Sequence, residues 1–325
     1  MVHARPMGYA QRAGGVVIRR RLDVGGVGTP AMITVPTAAL EPAEAADLES
    51  ADLEAARLDS ADLSEAVVFV HGNPGSGADW ADLVRRVGAF APAVAMDMPG
   101  FGSAAKVADF DYTVSGYAAH LEGVLAALGI AKVHLVLHDF GGPWGLSWAA
   151  ANSGRLASLT LVNTGVLMGY RWHYLARIWR TPLLGELFMA TTTRVAFRAL
   201  LRHGNPWRLP REFADRMYDD FDPGTKRAVL RLYRATSDPA GASAEWHQAL
   251  KSCHCPVLVI WGAHDPYLPA RLAQRQRATF PQARVEVFPD SGHWPFIDDP
   301  RRFGATMLPF LRDVFAGSAA AGPKQ

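Results

Sequence analysis

The sequence predicts an α/β fold: a mostly parallel sheet with helices on both faces and a helical cap inserted after the sixth strand. Three observations predict it. From residue 66 onward, short apolar runs rich in β-branched residues alternate with helix-length segments. Between about 166 and 250 those runs vanish, and amphipathic segments rich in Arg, Trp and Tyr replace them. After 251 the strand–helix alternation returns and continues to a final helix.

Taken in order, Gly15–Leu22 and Ala31–Pro36 flank the glycine-rich DVGGVGTP and read as a hairpin, the N-terminal part of the core sheet within 1–40. Residues 41–65 form an acidic insertion. Its stretch 46–65 divides into ADLES, ADLEA, ARLDS and ADLSE, four five-residue units that resemble pentapeptide repeats. Four units are too few to bury a core unaided, and the alternative reading is an acidic low-complexity loop or short helix. The segment carries no candidate chemistry and is expected to be dispensable.

The first part of the core, 66–165, holds strands at Ala66–Val70, Ala93–Met96, Val133–Leu137 and Leu156–Val162. Helices follow from about Ala78, over Val114–Leu128 and from about Gly142. The cap takes 166–250. The second part, 251–316, holds Val257–Trp261, a helix near Arg271–Thr279, Arg284–Phe288 and a helix from about Arg302, before an expected disordered tail at 317–325. The cap leaves the sheet just after a strand's C-terminal end, which is where open α/β sheets bind ligands.

Composition narrows the function. With 49% hydrophobic and 20% charged residues, the chain reads as an ordinary globular protein able to bury a large core. A formal charge of +2 gives no reason to expect nucleic acid as a partner. Charge is unevenly placed: residues 41–65 carry net −8, which leaves +10 on the rest, much of it arginine between 171 and 234. The arginines read as a solvated helical surface. Cys253 and Cys255 are too close for an unstrained disulfide, and no second pair sits at zinc spacing, so no metal is expected. No apolar run reaches a membrane span and the N-terminus lacks a signal-peptide core, so a cytoplasmic location without membrane contact is expected. A homodimer is left open.

The chemistry centres on LVLHDFGGPWGLSWA, 135–149, where a buried strand turns sharply into a helix with Asp139 at the corner. Strand, tight turn and helix make the geometry of a nucleophile elbow, and Pro143 suits a first helical turn. Two later strands end in GAHDPYLP and PDSGHWPF, which place Asp265 and His293 on loops at the same edge of the sheet. Taken alone, Asp139 would read as a helix cap and His293 as a structural histidine. In that chain order, nucleophile, acid and histidine form one catalytic set.

With these motifs, the sequence resembles the carboxylate-nucleophile branch of the α/β-hydrolases, which contains epoxide hydrolases and haloalkane dehalogenases. HGNPGS (71–76) is similar to the family's oxyanion loop and DMPGFG (97–102) to its following strand-end loop, and the resemblance covers about 66–316. It implies that Asp139 attacks an sp³ carbon to form an alkyl ester, and that water activated by His293 hydrolyses it. Backbone N–H groups near Asn73 and Phe140 would form the oxyanion hole. The position after Leu156–Val162 that holds the acid in some dehalogenases is Asn163, which cannot ionise, leaving Asp265 to orient His293. His138 and His264, beside these residues, read as structural. No cofactor is required.

The leaving group divides the family. The dehalogenase tryptophan after the nucleophile is Phe140 here, which has no donor, while Asn73 is present. Tyr233, in RLYRATSD, matches the position of the later ring-opening tyrosine of epoxide hydrolases. The earlier one has no clear counterpart, with Tyr170 or Tyr174 as substitutes, and Leu137 resembles dehalogenases. The resemblance therefore favours an epoxide hydrolase over a haloalkane dehalogenase. A non-catalytic binding or scaffolding protein is the third reading, and the intact set Asp139, Asp265 and His293 argues against it. The cap aromatics Trp172, Trp179, Trp207 and Trp246 predict an apolar or aromatic small-molecule substrate.

Overall fold

Uninterrupted β-branched runs stay in a sheet only if both faces are covered, and the centre of this chain meets that condition. The computed structural model describes residues 15–36, 58 and 61–320. Its strands are β1 (Val16–Val24), β2 (Val27–Val35), β3 (Glu65–Val70), β4 (Ala93–Met96), β5 (Lys132–His138), β6 (Leu156–Val162), β7 (Val257–Gly262) and β8 (Arg284–Phe288). They form one sheet in the order β1-β2-β4-β3-β5-β6-β7-β8. From β4 to β8 the neighbours run parallel; β2 pairs antiparallel with both β1 and β4. Every residue of β4 and β7 is buried, as is all but the first of β3 and β5. The outer strand β1 instead exposes Arg19, Arg20 and Arg21. Positive charge on an end strand disfavours pairing with another sheet.

Helices α1 (Ala81–Val87), α2 (Val114–Ala127) and α3 (Gly141–Ala151) belong to the first half of the core. The cap comprises α4 (Tyr174–Arg180), α5 (Leu184–Thr191), α6 (Arg194–His203), α7 (Arg211–Asp219), α8 (Pro223–Ala235) and α9 (Pro239–Leu250), all between β6 and β7. Then come α10 (Arg271–Arg275), α11 (Pro295–Asp298) and α12 (Pro300–Ala320). Side-chain caps start several of them: Thr113 on α2, Thr193 on α6 and Asp222 on α8 each accept an N–H of the first turn.

Two expectations change. The glycine-rich hairpin loop contracts to a two-residue turn at Gly25–Gly26, with the strands running up to it on both sides. The final helix continues through Ala320 instead of giving way to a tail at 317, since lengthening an existing helix needs no new nucleus. The acidic insertion lies outside the described residues except Leu58 and 61–65, so its repeat is not described. Leu58 and Leu63 are buried in the core, so the end of that segment packs against the fold.

The cap is fastened to the core by a partly buried ion pair. Arg216 of α7 reaches down to the loop after β3, donating to Asp79 Oδ1 at 2.5 Å and to Ser76 Oγ at 2.9 Å. Burial drives the Asp79 carboxyl pKa up, and the Arg216 charge opposes it. Arg216→Met strands that buried carboxylate. It is expected to cost roughly 3 kcal/mol of stability, the scale of breaking a buried pair from one side. The double variant Arg216→Met, Asp79→Asn should recover most of the lost thermal midpoint, and equal losses in the two proteins would contradict this account.

Candidate active site

β5 ends at His138 and α3 opens at Gly141, so Asp139 and Phe140 make the turn. Asp139 sits at φ 48°, a left-handed conformation that costs a non-glycine residue on the order of 1–3 kcal/mol. Close packing holds it there. A Cβ on Gly72 would lie 2.3 Å from Asp139 Cβ, and one on Gly142 would lie 1.9 Å from Thr164 Oγ1. Only glycine fits at either place. Thr164 Oγ1 also donates to the Asp139 carbonyl at 2.7 Å.

The three residues singled out by motif meet at this elbow. His293 Nε2 lies 3.5 Å from Asp139 Oδ2, and Nδ1 lies 2.7 Å from Asp265 Oδ2. Asp265 is fixed in turn: its Oδ1 accepts the N–H groups of Tyr267 (2.8 Å) and Leu268 (3.0 Å). The amide of Asn163, itself at φ 45°, donates to Asp265 Oδ2 at 2.6 Å and accepts the Gly262 N–H at 3.0 Å. Asn163 therefore sits beside the acid as its hydrogen-bonding support, a role its inability to ionise does not reveal. His138 donates from Nε2 to the His293 carbonyl at 2.8 Å and is buried, whereas His264 is exposed.

The second oxygen of Asp139 meets the loop after β3. The Asn73 N–H donates to Asp139 Oδ1 at 2.7 Å. Phe140 precedes α3, where first-turn N–H groups have no intrahelical acceptor. Oδ1 thus occupies the site where negative charge would develop if water added to an ester of Asp139.

Electrostatics couple the pair. Burial opposes a charge on Asp139, but the His293 proton and charge outweigh it and bring the carboxyl to about 2. Burial likewise opposes a charge on His293, but Asp265 and Asp139 outweigh it and raise the imidazole to about 10. The resting site is an ion pair. Its contribution to stability is lost as pH rises through about 10, where His293 deprotonates, and as pH falls through about 2, where Asp139 protonates. Asp139→Asn removes one of the two carboxylates, so His293 should titrate clearly below about 10 by imidazole NMR. An unchanged titration would show that Asp139 does not support the imidazolium.

Two lobes lie beside Asp139, both lined by Asp139, His173, Tyr233 and Tyr267. The first, about 60 Å³, adds Phe140, Tyr170, Trp172 and Trp246. The second, about 30 Å³, adds Leu175, Phe188, Phe197, Leu200 and Phe221 with Asn73 and His293. Tyr233 is buried, its hydroxyl 3.3 Å from Asn73 Nδ2 and its ring against Phe140, Trp172 and Trp179. Burial and the Asp139 charge raise its pKa well above the usual phenol value, so it holds its proton as a donor. Tyr170 is shifted up for the same reasons. Arg180 holds this wall, donating to the backbone carbonyls of Tyr233 and Thr236 with its guanidinium over Trp172.

Some cap residues change role. Tyr174 is 47% exposed and Trp207 59% exposed, with the Trp207 indole donating to the Asp290 carbonyl. Neither lines the lobes. His173 does, and its sequence context gives no sign of it beyond a polar residue before a helix. Its Nδ1 accepts the Ala176 N–H at 3.3 Å, capping α4, and burial lowers its pKa to about 4. A neutral ring whose Nδ1 is an acceptor carries its proton on Nε2, so His173 adds an imidazole N–H to the residues that line both lobes.

The sequence model of the alpha/beta hydrolase fold family matches residues 65–300. An uncharacterized protein of Mycobacterium tuberculosis is 29% identical over 254 residues, 73% of this chain and 72% of that one. A 2-hydroxy-6-oxononadienedioate/2-hydroxy-6-oxononatrienedioate hydrolase of Burkholderia vietnamiensis is 26% identical, covering 77% of this chain and 88% of its own. Among solved structures, a haloalkane dehalogenase loop variant from Bradyrhizobium elkanii superposes with a TM-score of 0.75 at 21% identity, over 94% of this chain and 100% of that one. An epoxide hydrolase superposes at 0.72 with 16% identity, over 92% and 100%. These solved structures share the fold. The chain belongs to the alpha/beta hydrolase fold family, and it is a hydrolase.

Proposed function

We propose that this hydrolase opens epoxides to diols through an alkyl ester on Asp139. The observation that carries the reading is Tyr233: a buried, protonated phenol in the same cavity wall as the nucleophile, tied through Asn73 to the loop that holds Asp139 Oδ1. Asp139 Oδ2 attacks a ring carbon, the C–O bond breaks, and the departing oxygen takes the Tyr233 proton. Tyr170 and His173 line the cavity as further donors. Esterification cancels the charge that kept His293 protonated. Its proton then restores the phenol, and the neutral imidazole can take one from water. Water adds to the ester carbonyl with negative charge on Oδ1 at the Asn73 N–H, a donor worth roughly 3–4 kcal/mol in comparable sites. Collapse releases the diol and returns the Asp139–His293 ion pair.

The printed substrates of the Burkholderia relative are dicarboxylates. The charged groups that line the two lobes are Asp139 and His293, an arrangement that supports a neutral substrate here. One observation favours a second reading, haloalkane dehalogenation. Trp172 lines the first lobe and its indole N–H is buried without a partner among the described residues, a donor that a halide could use. A ligand-binding or scaffolding role without catalysis has no such support.

Styrene-oxide-like epoxides and bromo- or chloroalkanes, offered to wild type, decide between these readings. Diol formation supports the proposal. Halide release that Trp172→Phe abolishes, with no diol from any epoxide, would overturn it.

A further inference from the structure

We propose that Asn205 and Trp207, in the cap turn GNPW (204–207), are positioning residues for the base: they hold the backbone that carries His293, and losing them slows hydrolysis of the ester without slowing its formation. This role rests on the ester mechanism through Asp139 and brings into it residues that lie outside the cavity. The turn joins α6 to α7. Pro206 has its φ fixed by the ring and restricts Asn205 before it, so the turn has few conformations to choose from.

Three hydrogen bonds cross from this turn to the loop after β8. The His293 N–H donates to the Gly204 carbonyl at 2.9 Å, and the Trp294 N–H to Asn205 Oδ1 at 3.5 Å. The Trp207 indole donates in the other direction, to the Asp290 carbonyl at 3.0 Å. The two backbones are in close contact, since a Cβ on Gly292 would lie 2.4 Å from the Gly204 oxygen and 2.7 Å from Asn205 Cα. Asn205 is buried there. The core holds the same loop from within: Asp298 Oδ2 accepts the Gly292 N–H at 2.8 Å, and His138 donates to the His293 carbonyl at 2.8 Å. The N–H of the base therefore ends on the cap and its carbonyl on the core. From that backbone the imidazole must reach Asp139 and Asp265 together, and a misplacement of about 1 Å costs on the order of 10²-fold. Ester formation uses Asp139, packed against Gly72, and Tyr233 on α8. The three hydrogen bonds reach neither.

Asn205→Ala removes the acceptor, and Trp207→Phe removes the indole N–H while keeping a ring. Styrene oxide and 1-bromobutane serve as probes, and single-turnover mass spectrometry reads how fast each adds to the Asp139 peptide and how fast it leaves. On the probe that wild type turns over, the double variant is expected to hydrolyse the ester about tenfold or more slowly, so that ester accumulates, with formation within about threefold of wild type. Trp207 is largely exposed, so Trp207→Phe alone leaves the core intact. It should slow hydrolysis by about three- to tenfold, the scale of one neutral hydrogen bond. Without substrate, imidazole NMR of the double variant should show His293 titrating about one pH unit or more below wild type, as the ring moves off its two carboxylates. Equal losses in the two steps, hydrolysis at the wild-type rate, or an unchanged His293 titration overturns the proposal. If neither probe forms an ester in wild type, the ester mechanism loses its support, and the hold of the cap on His293 stands or falls on the NMR result alone.

Discussion

His293→Gln is expected to stop turnover at the covalent ester, so that one equivalent of substrate adds to each enzyme and little product follows. Alkylation needs only the ionised Asp139 and a donor for the leaving group. Hydrolysis needs a base to take a proton from water, and losing that base slows the step by roughly 10²–10⁴-fold. The variant keeps the site folded. Asp265 still accepts from Tyr267, Leu268 and Asn163, and Gln offers an N–H in the direction of the lost Nδ1. Removing the imidazolium lets burial move the Asp139 pKa upward from about 2, with the Asn73 N–H still favouring the carboxylate, so alkylation by the variant is measured on the alkaline side of neutrality. Mass spectrometry should find the substrate mass on the peptide that contains Asp139. An adduct on any other residue, with a competent substrate, would refute the assignment of the nucleophile.

Tyr233→Phe has the second-largest expected effect, and it depends on the leaving group. Ring opening puts negative charge on an oxygen inside an apolar wall, where a phenol already hydrogen-bonded to it becomes a stronger partner as charge develops. Deleting the hydroxyl changes little volume, since the ring packed among Phe140, Trp172 and Trp179 is retained. Alkylation by epoxides should slow by ~10²-fold or more, the scale of a positioned acid. Bromoalkanes should alkylate at nearly the wild-type rate, because bromide leaves without a proton. Parallel losses on both substrate classes would mean that Tyr233 shapes the cavity and does not act as an acid.

Much of this site was legible in the sequence because its parts lie at strand ends. A buried run that breaks at a single Asp, another that breaks at GAHD and another at SGH place three side chains at one edge of a parallel sheet, and Asp139, Asp265 and His293 meet there. Tyr233 was singled out only by the family resemblance of RLYRATSD, and the structure places it in the cavity wall. The cap was not legible in the same way. Its helices carry aromatics on several faces, so periodicity alone does not separate Trp172, which lines the cavity, from Trp207, which is largely exposed. His173 carried no motif to single it out, since the cap of α4 and a place in the cavity wall are both set by the folded chain. Asn163 shows the limit of judging a residue by charge: its amide supports the acid that it cannot replace.

The central claim is that the enzyme's own carboxylate attacks carbon and that water then attacks the carboxylate. A single turnover in ¹⁸O-labelled water, with enzyme in excess over substrate, tests this most directly. In the first turnover the oxygen delivered to carbon comes from Asp139, so the product should be unlabelled and the label should appear in the peptide that contains Asp139. Label in the product of the first turnover, with none in that peptide, would mean that water attacks the substrate directly and that Asp139 is not the nucleophile.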